Sequence, residues 1–111
     1  MNMSSSIAPR VDIKCQKGYK FYRGPIQFFY KDKVLTTNVA SFSLKVKDSS
    51  DNEILTFISP VSIIVHENFI ELVQSTNTMN NVPEGNYEYI LEMIDSNSEK
   101  IPLMQGGFII E

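Results

Sequence analysis

At 111 residues with a 42% hydrophobic and 21% charged composition, the chain is long enough for one domain with a single core, and wholesale disorder is excluded. It has no run of about 18 apolar residues to span a membrane, and its start, MNMSSSIAPR, has neither the basic opening nor the apolar stretch of a secretory signal. The lone Cys15 rules out an internal disulfide and fits synthesis in a reducing cytoplasm, while a net charge of −3 argues against nucleic acid as a partner.

Residues 1–10 are Ser-rich and end near Pro9, which predicts a flexible arm before a single domain over 11–111. VDIKC (11–15) reads as a short first strand. In QKGYKFYRGP (16–25) two glycines and a proline interrupt any long ladder, so a loop or a bent edge strand is expected. IQFFYK (26–31) alternates Ile26, Phe28 and Tyr30 against Gln27, Phe29 and Lys31, a strand pattern, and Asp32-Lys33 is the expected tight turn. SFSLKVKD (41–48) is the clearest strand: Phe42, Leu44 and Val46 share one face, and Ser41, Ser43, Lys45 and Lys47 the other.

After the polar reversal DSSDNE (48–53) comes the strand ILTFI, broken by Pro60. VSIIV (61–65) and NFIELV (68–73) flank His66-Glu67 with hairpin spacing. QSTNTMNN (74–81) is short and polar, room for one irregular or helical turn. In VPEGNYEYILEM, Pro83 and Gly85 make a corner where the chain is expected to reverse, and Tyr87, Tyr89, Leu91 and Met93 then recur on one strand face. The turn DSNSEK leads into a final strand to residue 111. Its Gly106-Gly107 pair predicts a bulge or a close backbone approach, with Phe108 and Ile110 returning to the core. Seven or eight short strands with turn signals this frequent describe an all-β antiparallel sandwich.

Charge is segregated along the chain. Residues 1–47 hold nine basic side chains against two acidic ones, and residues 48–111 hold one against eleven. Either early strands lie beside late ones and the charges pair across the sheet, or the subunit is dipolar and its basic surface meets a neighbour's acidic one. Catalytic chemistry finds no constellation. His66 is the only histidine and falls in a turn, without a second histidine for zinc or an orienting acid for a nucleophile. Glu88 and Glu92 alternate on an outward strand face, and Asp48, Asp51, Asn52 and Glu53 lack EF-hand spacing. The expectation is a non-enzymatic protein without cofactor or metal. The surface candidates are Arg10 and the cluster Lys17, Tyr19, Lys20, Phe21, Tyr22 and Arg23, whose interleaved aromatic and basic side chains suit a protein partner, a sugar or a single strand; the rival reading has them covering one end of the sandwich.

The order of these pieces resembles the Ig-like domains of tailed-bacteriophage virion proteins, with the N-terminal domain of upper baseplate proteins as the nearest type. In that pattern a strand of the SFSLKVKD kind is followed about forty residues later by Pro-x-Gly-x-Tyr-x-Tyr, and a last strand carries a Gly before its final apolar residues. The match falls on Leu35, Phe42, Leu44, Val46, Pro83, Gly85, Tyr87, Tyr89, Leu91, Gly107, Phe108 and Ile110. Where the family places a Gly in the turn after its first long strand, this chain has KDKV; and where family members are modules of longer proteins, it ends with the domain, which suggests a small standalone component.

The resemblance implies an Ig-like sandwich made in the bacterial host's cytoplasm and built into the virion as a structural or adaptor part of tail, baseplate, neck or decoration. Its partners would be other virion proteins and copies of itself in a ring or lattice. The two alternatives are a carbohydrate- or host-receptor-binding module and an early inhibitor absent from the particle. In such a sandwich Tyr87 and Tyr89 bury their rings while their hydroxyls reach backbone or water, and Tyr87→Ala is expected to cost about 3–5 kcal/mol.

Overall fold

The computed structural model describes residues 9–111, apart from the side chain of Tyr30; residues 1–8 of the expected arm lie outside the described residues. Ten strands and one short helix follow in order: β1 (Ile13–Cys15), β2 (Phe21–Ile26), β3 (Phe29–Tyr30), β4 (Lys33–Val34), β5 (Ser41–Lys47), β6 (Glu53–Ile58), β7 (Ile63–Val65), β8 (Ile70–Gln74), α1 (Thr76–Asn80), β9 (Gly85–Ile94) and β10 (Lys100–Ile110). They form a five-stranded sheet in the order β1-β10-β9-β5-β6, a three-stranded sheet β2-β8-β7 and the small hairpin β3-β4. Every named pairing is antiparallel except β1 with β10. This is the connectivity of an Ig-like sandwich. β2, β7 and β8 stand in the places of strands B, D and E, while β5, β9 and β10 stand in those of C, F and G, with β6 added beside C.

The core is built by the alternation of the two sheets. Phe42, Leu44 and Val46 of β5 and Tyr89, Leu91 and Met93 of β9 are buried on one side, as are Phe21, Ile63, Ile70 and Leu72 from the facing sheet. In antibody domains an inter-sheet disulfide with a tryptophan marks this centre. Here aromatic rings fill it: Phe21 lies 5.5 Å from Phe57 and 5.6 Å from Phe108 between ring centres, and Tyr89 meets Phe108 at 6.2 Å in an edge-on arrangement. Cys15 is half-buried and free; burial pushes its thiol pKa up, with Arg23 opposing, so the group is held as a thiol.

Several sequence expectations are decided or corrected. Of the two expectations for segment 16–25, the bent edge strand is the one present from Phe21: β2 lies at the edge of its sheet and bends where the register slips between Arg23 and Ile26. The expected strand 26–31 is split, because Ile26 ends β2 and only Phe29–Tyr30 pair again. The hairpin turn falls at Lys31-Asp32, one residue early, with φ of 51° and 65°. Two successive positive φ values make the primed turn that matches strand twist, the conformation for which Gly is the usual solution. Pro83 and Gly85 do not make the reversal alone, although the chain bends at Val82 and Glu84 on either side of Pro83. Ser75 caps α1 through its side chain to the Thr78 N–H, and the chain turns through that helix.

Gly85 instead lies beneath the Tyr87 ring, where a Cβ would sit 3.2 Å from the hydroxyl oxygen. That hydroxyl donates to the Pro83 carbonyl at 2.7 Å, a tyrosine corner at the entry to the F-type strand. The close approach expected near Gly106-Gly107 is present. A Cβ on Gly106, where φ is +152°, would stand 2.4 Å from the Val11 carbonyl oxygen. The register shift of β10 lies elsewhere, between Pro102 and Met104.

Candidate partner-binding surfaces

The residues grouped by sequence as one aromatic-basic surface are divided by strand alternation. Phe21 points inward and is 4% exposed, so it belongs to the core and not to the surface. Tyr19 and Tyr22 are 62% and 52% exposed. Lys17 reaches across the loop and donates to the Asn80 and Val82 carbonyls at 2.8 and 2.9 Å, closing the C-terminal end of α1. The Arg23 guanidinium donates to the Lys14 carbonyl at 3.2 Å, which ties β2 to β1 across the open side of the sandwich. Lys20 stays exposed and borders a shallow groove of about 500 Å³ whose other walls include Val61, Val73 and Thr78.

Arg10 lies elsewhere. Its guanidinium makes two hydrogen bonds to Glu88, at 3.2 and 3.1 Å, on the outer face of β9. Its backbone is held too, since Arg10 bridges Gln105 in parallel register and Val11 N–H donates to the Gln105 carbonyl at 2.7 Å. The end of the expected arm is therefore docked on β10.

A cluster that the sequence left unconnected appears on the outer face of the smaller sheet. The Tyr22 hydroxyl donates to Glu71 Oε2, and His66 Nε2 lies 2.8 Å from Glu71 Oε1. The His66 ring stacks on Phe69 at 4.1 Å. The hydrogen bond from Tyr22, and then that from His66, holds the Glu71 carboxyl below its ordinary pKa. Only register could have revealed this trio: β8 pairs with β2 and β7, bringing Tyr22 opposite Val73 and Ile64 opposite Glu71. Both carboxylate oxygens are engaged, so the trio fastens three elements together.

The remaining candidates of the corner and core fall where the fold uses them. Phe42, Leu44, Val46, Tyr89, Leu91, Phe108 and Ile110 are buried, and Tyr87 is partly buried against them. Gly107 N–H donates to Asp12 Oδ1 at 2.8 Å, and the Tyr89 hydroxyl donates to the Val11 carbonyl at 2.6 Å. Large apolar side chains are exposed in the small hairpin and in loops as well as on the sheets. Phe29 (64%) and Val34 are register partners in the β3-β4 hairpin, with Val39 (71%) in the segment that follows, and Val61 (76%) stands beside Pro60.

The free edge of β6 is covered in part. Gln74 donates its amide to the Thr56 carbonyl at 2.9 Å, and the Ser62 hydroxyl accepts from Ile58 N–H at 2.8 Å, occupying groups that could otherwise pair with a foreign strand. No helix among the described residues is long and apolar enough to cross a membrane.

No family model and no curated protein matches the chain in sequence. Among solved structures the chain is similar to CopC from Methylosinus trichosporium OB3b, at 9% identity over 97% of this chain and 87% of that one, with a TM-score of 0.42. It is also similar to the V domain of amphioxus IgVJ-C2, at 10% identity over 88% of this chain and 98% of that one, with a TM-score of 0.29. Likeness at this level says nothing about activity in this chain.

Proposed function

We propose that this chain is a non-enzymatic structural or adaptor subunit of a tailed-phage virion, acting through protein–protein contacts. The observation that carries the reading is the apolar exposure of the connection between β2 and β5, where Phe29 and Val34 pair across a hairpin of two-residue strands and Val39 follows. A soluble domain that spends three large apolar side chains on one connection gains nothing for its own core, and such patches mark sites of association. The resemblance of SFSLKVKD, VPEGNYEY and the closing strand to virion Ig-like domains supplies the setting. The stacking platform that a sugar- or strand-binding role would need loses Phe21 to the core and has Tyr22 tied to Glu71, which leaves the protein partner favoured.

The test is quantitative mass spectrometry of gradient-purified particles from the producing host. The expected result is recovery at a fixed ratio to the major capsid or tail proteins. Absence from particles, with the chain abundant in the soluble fraction, would overturn the virion reading in favour of an early inhibitor.

A further inference from the structure

On the outer face of the five-stranded sheet the side chains of β5, β6 and β9 are partly or fully exposed, and they can be read row by row from the registers. Along one row lie Gly107, which is buried and carries no side chain, Glu88, Lys47 and Glu53. The next holds Gln105, Ile90, Lys45 and Thr56, and the third Pro102, Glu92, Ser43 and Ile58. Because Phe42, Leu44, Val46, Tyr89, Leu91 and Met93 are buried on the inner face, all of these point outward. Read down the strands, the rows become columns of one sign. β5 presents Lys45 and Lys47, and its neighbour β9 presents Glu88 and Glu92.

These columns are not neutralised against each other. Glu88 is drawn to Arg10, and Lys47 to Asp51 at 3.4 Å, each away from the seam between β5 and β9. Lys45 and Glu92 form no ion pair within 4.0 Å among the described residues. An acidic column beside a basic column is complementary to a copy of itself, provided the copy is turned about an axis parallel to the strands and lying over the seam. That rotation keeps each row in place and exchanges the columns.

We infer that this face is the interface of a two-fold dimer of the chain, with β5 of each protomer packed over β9 of its partner. The row geometry then places Lys47 against the other copy's glutamate at 88, and Lys45 over the isoleucine at 90, between the two acidic rows. Ile58, which is half exposed, falls on the proline at 102, and Thr56 on the glutamine at 105, so apolar meets apolar and polar meets polar. Sheets pack about 10 Å apart face to face, a gap that a lysine and a glutamate span together. A two-fold axis across the strands would set β5 on β5, lysine on lysine, and is rejected by charge.

Four strands about 4.8 Å apart and four outward rows about 6.8 Å apart, the fourth being Lys100, Ile94 and Ser41, make a patch of about 500 Å² per protomer. The total, about 1,000 Å², is at the lower limit of specific interfaces, so the dimer is expected to be weak and reversible. The inference deepens the assembly reading by naming a partner, and it is tested in solution, where it can fail while recovery from particles succeeds.

The experiment is sedimentation velocity on the full chain and on two charge variants. K45E/K47E makes both columns acidic, and E88K/E92K makes both basic. The wild type is expected to self-associate between about 1 μM and about 1 mM, each variant alone to associate at least about tenfold more weakly, and an equimolar mixture of the two to recover the wild-type affinity. A wild type that stays monomeric over that range overturns the inference, as do variants that dimerise normally or a mixture no tighter than its parts. If either variant fails to fold, the wild type's own salt dependence decides. Dissociation that rises severalfold from about 0.05 M to about 1 M salt supports paired columns, and indifference to salt overturns them.

Discussion

Two tyrosines about 6.8 Å of strand apart do different work. Tyr89 is 3% exposed and gives its hydroxyl to the Val11 carbonyl, whereas Tyr87 lies at the rim and closes its corner onto Pro83. The larger cost of truncation therefore belongs to Tyr89: Tyr89→Ala is expected to cost about 3–5 kcal/mol and Tyr87→Ala about 2 kcal/mol, less than the sequence alone suggested. Removing only the oxygens separates the roles further. Tyr89→Phe strands a carbonyl in a half-buried place and should cost about 2 kcal/mol, against about 1 kcal/mol for Tyr87→Phe, whose carbonyl can meet water. Urea unfolding of the four variants checks the order, and equal losses at 87 and 89 would contradict it.

Glu71 makes a pH prediction at the same scale. Its carboxyl is held below the ordinary 4.5 by Tyr22 and His66. A depressed folded-state pKa means that its stabilising share is complete above the unfolded value and is lost as pH falls through the folded one. The melting temperature should therefore decline as pH falls below the ordinary carboxylate value of 4.5, and Glu71→Gln should flatten that decline. Parallel curves for the two proteins would contradict the role given to the trio.

At the scale of elements, the chain's first described strand is locked to its last. Pro9 and Val11 exchange backbone hydrogen bonds with Gln105, Asp12 accepts from Gly107, and β1 runs parallel to Phe108–Ile110. This is why residue 106 must be Gly: a Cβ there would enter the Val11 carbonyl, backbone against backbone, at a positive φ. Gly106→Ala is expected to cost about 3 kcal/mol or more and to expose the amides of residues 10–15 to hydrogen exchange ahead of β5 and β9. Protection of that segment equal to wild type would show that the contact is slack.

How much of this was legible in the sequence follows from where the information resides. Strand β5 was fully readable because one face is wet and the other dry, and the alternation of Phe42, Leu44 and Val46 with lysines and serines records both. The close approach at Gly106 was signalled by a Gly pair inside an apolar strand, but its partner, Val11, was not. Strand β2 was half legible because Gly24 and Pro25 suit a loop as well as a bent edge strand, and Phe21 was taken with its exposed neighbours because its inward direction depends on pairing with Gln74. The Tyr22–Glu71–His66 trio was invisible for the same reason: three elements meet there through register alone.

For the molecule as a whole, the split between a basic first half and an acidic second half acquires a spatial meaning. The fold inserts β5, from the basic half, between β6 and β9 of the acidic half, so a difference along the chain becomes adjacent columns on one face. Arg10 crosses 78 residues of sequence to reach Glu88 on that face. Exposed pairs of this kind add little to stability, on the order of 1 kcal/mol or less, and their larger use is in choosing a partner and its orientation. The apolar side chains at Phe29, Val34 and Val39 lie on a different connection, so the molecule offers one surface patterned by charge and another by apolar area. The proposed virion contact rests on the second of these surfaces and the inferred dimer on the first.

The measurement that tests this account most directly is hydroxyl-radical footprinting of the free chain against purified particles. Phe29, Val34 and Val39 are predicted to lose most of their labelling in the particle, by about tenfold, while the exposed Asn97–Glu99 turn keeps its own. Equal labelling of the apolar hairpin in both states, or no chain in the particle to label, would contradict the claim that this connection binds a virion partner.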